Sequence, residues 1–315
     1  MNGPVIILGA GESGVGAALL AKEKGYTCFV SDGGKLKKEH AAELDRAGIE
    51  WEEGKHSEER ILAGGVVVKS PGIPEKNELV KKIRQQGIPV ISEIEWAYRF
   101  IGESKVIAIT GSNGKTTTTA LTNHICRHAG LDCALVGNIG YSFARQVATD
   151  PRPWYIAEIS SFQLDDIETF RPFIAILTNI TEDHLDRYEY QFRNYINSKF
   201  RIVMNQQPAD YFIYCADDEV TVQYIHNFSI LSNPLPFSMR KELHPGAFIK
   251  EKEMTVATND EKLQMSIYDF ALKGKHNQYN TMAAGLAASV IGLRKDKIRE
   301  AIQSFEALEH RMEHV

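Results

Sequence analysis

Short apolar runs alternate with longer charged, amphipathic stretches along the whole chain, and most of the apolar runs end at glycine or a polar cluster. Residues 4–8 lead into Gly9-Ala10-Gly11-Glu12-Ser13-Gly14. A helix-period stretch to Lys24 follows, then a second apolar run, 26–31, ending at Asp32. This rhythm predicts a βαβ opening. The run 66–68 before Ser70-Pro71-Gly72, a charged helix near 75–86 and a strand at 88–91 extend it into a small parallel sheet. After a helix at 93–101, Gly102-Glu103-Ser104 reads as a linker, with the boundary near residue 103.

Beyond that linker the pattern restarts. Strands are expected at 106–110, 133–136, 154–157, 174–178 and 211–215, separated by helices or long connections, which describes a doubly wound sheet. Residues 228–272 mix short alternating runs with Pro234, Pro236, Pro245 and Gly246, and predict hairpins attached to that core. Closing helices are expected at 283–291 and 297–305. The predicted class is α/β: a Rossmann-like N-terminal domain over 1–102 and a central P-loop-type, doubly wound domain over 103–309.

Composition narrows the function classes. The chain has 315 residues, 43% hydrophobic and 24% charged, enough for sizeable cores in two domains or in three. A net charge of -5 and a pI near 6.1 argue against nonspecific nucleic-acid binding. Cys28, Cys126, Cys133 and Cys215 lack metal-ligand spacing, and no secretory segment precedes the first strand. No apolar run is long enough to span a bilayer. A reduced, cytoplasmic protein with no membrane insertion is expected.

The strongest chemical signal is Gly111-Ser112-Asn113-Gly114-Lys115-Thr116-Thr117, set between a strand and a helix. Glycines let the backbone approach an anion, loop and helix N–H groups converge on it, Lys115 neutralises phosphate, and the Thr116 hydroxyl suits magnesium. The spacing Gly-x-x-Gly-Lys-Thr is shorter than the usual P-loop pattern. A Gly-Asn turn that merely caps a helix would need neither the lysine nor the threonine. The earlier Gly9-x-Gly11-x-x-Gly14, with Asp32 ending the next strand, is compatible with any pyrophosphate: NAD, FAD or a UDP-sugar. Glu158 closes a strand expected beside the nucleotide strand, where magnesium takes oxygen ligands, although a solvated strand-end acid has the same pattern. His184, within Thr181-Glu182-Asp183-His184, sits at another strand end and is either structural or a metal ligand. Asn277 and Asn280, three apart, share a helical face and are suited to hydrogen-bonding a ligand, Asn277 alternatively serving as a helix cap.

Taken in order, these motifs resemble the Mur ligases, and the resemblance runs the whole chain. It rests on the first glycine loop, Ser70-Pro71-Gly72-Ile73-Pro74, Ile91-Ser92-Glu93-Ile94-Glu95, the Lys115 loop and Gly137-Asn138-Ile139-Gly140. It also rests on the stretches 158–164 and 181–188, His276-Asn277-x-x-Asn280 and His310-Arg311. Within the family the motif character is that of the members that join D-glutamate to UDP-N-acetylmuramoyl-L-alanine. The resemblance implies an ATP-dependent step of peptidoglycan synthesis through an acyl phosphate. It assigns Gly11, Glu12, Ser13, Asp32, Gly33, Ser70, Pro71, Gly72, Asn138, Ser161 and His184 to the UDP substrate. Residues 111–117, Asn277, Asn280 and Arg311 fall to ATP. Two Mg²⁺ ions would use Thr116, Glu158, His184 and Lys199, the last as a carbamate, and Lys115, Glu158, His184 and Lys199 would form the catalytic set. A carbamate suits that position because it turns a cation that would repel magnesium into an anionic ligand.

The resemblance also implies a third α/β domain beyond the His-Arg motif, carrying the D-glutamate site. The chain ends at Val315, with 310–315 expected to begin the linker, so we expect a two-domain fragment that binds the UDP substrate, and ATP weakly, without ligating efficiently. The alternatives are a UDP-sugar binding or regulatory module without catalysis, a sibling ligase adding another amino acid, and a nicotinamide oxidoreductase, which leaves the Lys115 loop unexplained.

Overall fold

A computed structural model describes residues 3–258 and 262–306. The chain divides into two compact units. The first comprises Met1–Glu103 together with Val136–Pro151 and Phe162–Phe170; the second comprises Ser104–Leu135, Arg152–Ser161 and Arg171–Val315. The change of unit at Glu103 and Ser104 falls at the Gly102-Glu103-Ser104 linker. Two stretches of the expected 103–309 domain, 136–151 and 162–170, fold with the first unit instead.

The first unit is built on five parallel strands: β1 (Val5–Leu8), β2 (Cys28–Asp32), β3 (Glu50–Glu53), β4 (Val66–Lys69) and β5 (Val90–Ser92), in the order β3-β2-β1-β4-β5. β1 is a fully buried apolar run, and β4 is one up to its buried terminal Lys69, as befits strands covered on both faces. Ile6, Leu8, Phe29, Val67 and Val90 form the core with Ile61, Leu79 and Ile83 from the covering helices. Trp96 is completely buried on helix Glu93–Tyr98, and its indole N–H donates to Ala17 O at 3.2 Å. The strand order reverses at β1, so the loops after β1 and β4 leave the sheet in opposite directions, where such sheets bind ligands.

Glu95 explains why 162–170 belongs here. This fully buried carboxylate accepts the backbone N–H groups of Glu168, Thr169 and Phe170 at 3.0, 2.9 and 2.8 Å, and the Thr169 hydroxyl at 2.7 Å. Burial alone would raise its pKa, but these hydrogen bonds and Arg99 hold it below the usual glutamate range. Glu95 is therefore a charged anchor for a loop that hydrophobic patterning does not assign.

The second unit contains β6 (Lys105–Thr110), β7 (Cys133–Gly137), β8 (Trp154–Glu158), β9 (Ile174–Leu177), β10 (Tyr211–Cys215), β11 (Asn233–Ser238), β12 (Gly246–Lys250), β13 (Glu253–Ala257) and β14 (Lys262–Ser266). Their order is β14-β13-β12-β11-β10-β9-β6-β8-β7. The β8 to β12 run is parallel through β6, β9, β10 and β11, and β12, β13 and β14 close it as antiparallel hairpins. The expected hairpins are thus present, but β11 differs: it is a parallel strand despite Pro234 and Pro236. Asn233 N donates to Asp210 O on the β10 side, and the prolines take the alternate positions, facing where β12 pairs only at Phe237 and Ser238. Helix Lys275–Val290 packs Met282, Ala283, Leu286 and Ala287 into the core with Ile107, Ile176, Ile213 and Phe237. Its small residues allow close approach to the sheet.

Candidate functional site

In the first unit, the polar residues expected to meet the UDP group lie at the carboxyl ends of β1, β2 and β4. Gly11 is the N-terminal flanking residue of helix Glu12–Glu23 and makes no side-chain cap, so the helix N–H groups face outward from an exposed glycine. Asp32 is half-buried and committed on both oxygens, accepting from Ala10 N at 2.6 Å and Gly34 N at 2.7 Å. It therefore fixes the shape of the first glycine loop. Ser70 presses on the same loop, since a Cβ at Gly9 would lie 2.7 Å from Ser70 Cβ. Ser13, Ser70 and Pro71 are half-buried, and Gly33, Gly72 and Asn138 are exposed. Asn138 lies in the 136–151 segment of this same unit. Ser161 and His184, assigned by resemblance to the same ligand, belong to the second unit.

The second unit brings the nucleotide residues together. β6 delivers the chain into Gly111-Ser112-Asn113-Gly114, and helix Lys115–His128 begins at once. Gly111 has φ +149°, and a Cβ there would meet Thr178 Oγ1 at 1.9 Å; Gly114 has φ +82°, and its Cβ would meet Asn280 Oδ1 at 2.6 Å. Only glycine fits at either place. The loop is also tied to the segment after β9. Asn113 N donates to Asn179 Oδ1, Asn179 Nδ2 donates back to Asn113 O, both at 2.9 Å, and Thr178 Oγ1 donates to Asn113 O at 2.7 Å. Ser112 Oγ donates to Thr181 O at 2.9 Å and lies 3.1 Å from the Tyr195 hydroxyl.

Lys115 Nζ donates to Gly111 O and Ser112 O at 2.8 and 2.9 Å. Burial lowers its pKa, and the charges of Glu158 and Asp183 work in the opposite direction. Those two acids thus help keep this half-buried amine cationic beside the loop. β8 lies next to β6, with Glu158 in register with Ile109, and Glu158 is 1% exposed. Thr116 and Thr117 occupy the first turn, half-buried. Asn280 accepts from Thr118 Oγ1 at 3.2 Å and donates to Asn277 Oδ1 at 3.2 Å, so the two asparagines do share a helical face. The cap of that helix is Gly274, not Asn277, which lies inside the first turn.

Lys199 is buried to 1% exposure on helix Phe192–Phe200, its Nζ 4.7 Å from the centre of the Tyr195 ring, whose hydroxyl reaches Ser112. His184 is half exposed, has φ +51° and stands 3.5 Å from Asp183. Among the described residues no three His, Cys, Asp or Glu side chains converge as a metal-binding group. The expected magnesium ligands are of another composition: a threonine hydroxyl, one glutamate, one histidine and a modified lysine. Arg311 lies outside the described residues.

A cavity of about 300 Å³ opens beside the loop, between Asn113, Gly114, Thr178 and Asn280 on one side and Cys215, Asp217, Phe237 and Tyr279 on the other. The Asp217 carboxylate accepts from Ser238 Oγ, Met239 N and Tyr279 OH at 2.6, 2.7 and 2.8 Å. Residues 215–217 and Phe237 went unread as site residues. The signal was their position at the carboxyl ends of β10 and β11, on the same edge of the sheet as the loop after β6.

Two units built on mainly parallel sheets, with a phosphate loop at one sheet edge of the second, define a nucleotide-binding α/β protein, and comparison with known proteins resolves which. Residues 109–288 match the Mur ligase middle domain, and residues 5–79 match the MurD N-terminal domain. The chain is 49% identical over its whole length to the UDP-N-acetylmuramoylalanine–D-glutamate ligase of Christiangramia forsetii, covering 71% of that protein, and 50% identical to that of Cytophaga hutchinsonii, covering 70%. A solved ligase from Neisseria meningitides, which joins UDP-N-acetylmuramate to L-alanyl-gamma-D-glutamyl-meso-diaminopimelate, shares the fold with a TM-score of 0.67 at 20% identity, over 97% of this chain and 98% of that one. The chain belongs to the Mur ligase family, within its UDP-N-acetylmuramoylalanine–D-glutamate ligases.

Proposed function

We propose that the chain binds ATP and UDP-N-acetylmuramoyl-L-alanine and activates the alanyl carboxylate for ligation to D-glutamate. An oxygen of that carboxylate attacks the γ-phosphorus and ADP leaves, giving an acyl phosphate. The amine of D-glutamate then attacks the acyl carbon, phosphate departs, and the nitrogen loses a proton as the amide forms. A free carboxylate is a poor acyl donor, so phosphorylation supplies the missing leaving group. The observation that carries this reading is the Lys115 loop held against Asn280 and Thr178, with buried Glu158 on the adjoining strand.

Lys115 and the helix N-terminus take the β- and γ-phosphates, and Asn277 and Asn280 meet the nucleotide. The oxygen donors Thr116 and Glu158 suit a hard cation, and His184 and a carbamylated Lys199 complete the donor set for two Mg²⁺ ions. Magnesium, when bound there, offsets phosphate charge. The near-complete burial of Lys199 supports carbamylation, because a buried ammonium is disfavoured and a carbamate gives an oxygen donor at the same place. Loss of activity in Lys199→Ala, partly rescued by a short carboxylic acid, is the expected result; full unaided activity would remove the role.

In the first unit, Ser13, Asp32, Gly33 and Ser70 to Gly72 frame the UDP site, and Asn138 meets the muramoyl-alanyl part. D-Glutamate recognition is assigned to the part of the relatives' length that this chain does not align with. We assign the reaction to the cytoplasm on the family resemblance alone. Among the described residues no helix is long and apolar enough to cross a membrane. The direct test is calorimetric titration in magnesium buffer with UDP-N-acetylmuramoyl-L-alanine, UDP-N-acetylglucosamine and NADH. Selective binding of the alanyl substrate supports the reading, and binding of NADH alone would overturn it.

A further inference from the structure

Glu12 is the first residue of the helix that follows the first glycine loop, and its carboxylate is already occupied. It receives Arg145 Nε at 2.7 Å and Arg145 Nη2 at 3.0 Å, and Ser142 N donates to it at 3.2 Å. The same guanidinium grips Glu43 with both terminal nitrogens, Nη2 to Oε2 at 3.1 Å. Arg145 is 14% exposed at the side chain, and these two carboxylates raise its already high pKa. Two bidentate pairs on one buried arginine fix its position in a way that a single exposed pair does not.

What Arg145 and Ser142 belong to gives this cluster its meaning. They open helix Phe143–Thr149, which follows the bend Asn138-Ile139-Gly140-Tyr141, closed by Gly137 N donating to Tyr141 O at 3.1 Å. Ser142 Oγ caps the helix at Arg145 N, and the buried Glu93 accepts from Ala144 N. One turn beyond Glu12, a Cβ at Gly16 would lie 1.9 Å from Ser142 Oγ and 2.9 Å from Arg145 N, so the two helices meet at backbone distance. All of these residues lie in the first unit.

Building on the substrate assignment above, we infer that Glu12 is a positioning residue: its pairing with Arg145 and Ser142 N locks the 138–141 bend to the first glycine loop, so that the two halves of the UDP-sugar ligand meet a single preformed surface. Arg145 has a second effect. A bare carboxylate in the first turn would oppose an anion at that helix N-terminus, and Arg145, which it shares with Glu43, offsets part of its charge.

The two effects separate by ligand. In Glu12→Gln the neutral amide no longer holds Arg145 bidentately; affinity for UDP-N-acetylmuramoyl-L-alanine falls about tenfold, several times more than affinity for UDP does. Arg145→Gln leaves Glu12 charged and weakens both ligands. The double variant regains UDP affinity but not the alanyl-muramoyl increment. Calorimetry of both ligands on these three variants, with thermal midpoints as a folding control and Arg145→Lys as a milder change, reads the ratio of the two affinities, which general destabilisation does not shift. An equal loss of both ligands in Glu12→Gln would make Glu12 a direct UDP ligand and overturn the inference, as would an unchanged ratio in all variants. A wild-type chain that fails to prefer the alanyl substrate over UDP would instead overturn the functional reading on which it rests.

Discussion

The two glycine loops look alike as strings, yet they are held in different ways. In the first unit the crowding is uneven: a Cβ at Gly14 would lie 1.9 Å from Gly9 O, within the same loop, and one at Gly9 2.7 Å from Ser70 Cβ, whereas a Cβ at Gly11 would meet nothing within 4 Å. In the second unit both glycines are pressed by distant parts of the chain, Gly111 by Thr178 and Gly114 by Asn280. The first loop is shaped by its own backbone, by Asp32 and by Ser70 against Gly9, and is open at Gly11 toward a pyrophosphate. The second is clamped by the strand end after β9 and by helix Lys275–Val290, so its geometry depends on the whole fold of its unit. A loop that only holds a ligand needs room, whereas one that positions a reacting phosphate needs rigidity.

The largest test of this contrast is Gly111→Ala. The new methyl collides with Thr178 Oγ1 and the residue sits at a φ that alanine rarely adopts, so the second unit should lose about 3 kcal/mol, the sum of overpacking and backbone strain. Urea unfolding reads the loss; a change within experimental error would show that the clamp yields. Next is Lys115→Ala, which removes the charge without disturbing the glycines. ATP affinity should drop by about 2 kcal/mol, roughly 30-fold, with little loss of stability. An unchanged nucleotide affinity would detach the loop from phosphate binding.

The same contrast explains what the sequence revealed. The buried strands β1, β4, β6 and β9 announced themselves because apolar runs between glycine or polar punctuation have few other uses. Helix Lys38–Arg46 and strand β3 went unread: the helix buries only Leu44, and Glu50-Trp51-Glu52-Glu53 runs at the sheet edge without a fully buried residue. Neither hydrophobic period nor composition marks such elements; the strand is defined by its pairing with β2. At the site, Lys115, Glu158 and Asn280 were legible because glycine spacing and strand ends are local signals. Asp217, Tyr279 and Tyr195 were not, since their roles come from contacts across dozens of residues, such as Tyr279 with Asp217 and Tyr195 with Ser112. For the same reason the pattern does not show that 136–151 and 162–170 cluster with the first compact unit: single carboxylates, Glu12, Glu93 and Glu95, hold them, and no periodicity records that.

Glu93 offers a test confined to the first unit. Burial pushes its pKa up to about 7, Ala144 N pulls the other way, and the charge of Glu12 adds to the rise. Because the folded state then holds a proton that the unfolded chain has released, stability should fall as pH rises from about 4.5 to about 7, by roughly 3 kcal/mol. Glu93→Gln accepts the same N–H and does not titrate. Its stability should match the native chain near pH 4.5 and exceed it increasingly toward pH 8. Parallel curves for the two proteins would mean that Glu93 is charged throughout.

The smallest expected effect is also the cleanest separation of room from rigidity. Gly11 has φ −75° and ψ −172°, a conformation open to any residue, and space around its absent side chain. In Gly11→Ala the unfolded chain loses conformational freedom while the helix loses a favourable N-terminal flanking residue, so stability should stay within about 1 kcal/mol of the native chain. The methyl would nonetheless stand on the face reserved for the pyrophosphate, and UDP affinity should fall while ATP affinity does not change. If stability collapses, the first loop is clamped as tightly as the second and the contrast fails. If UDP binds as before, the open face of Gly11 is turned away from the ligand, and the pyrophosphate must be held by Ser13 and Ser70 alone.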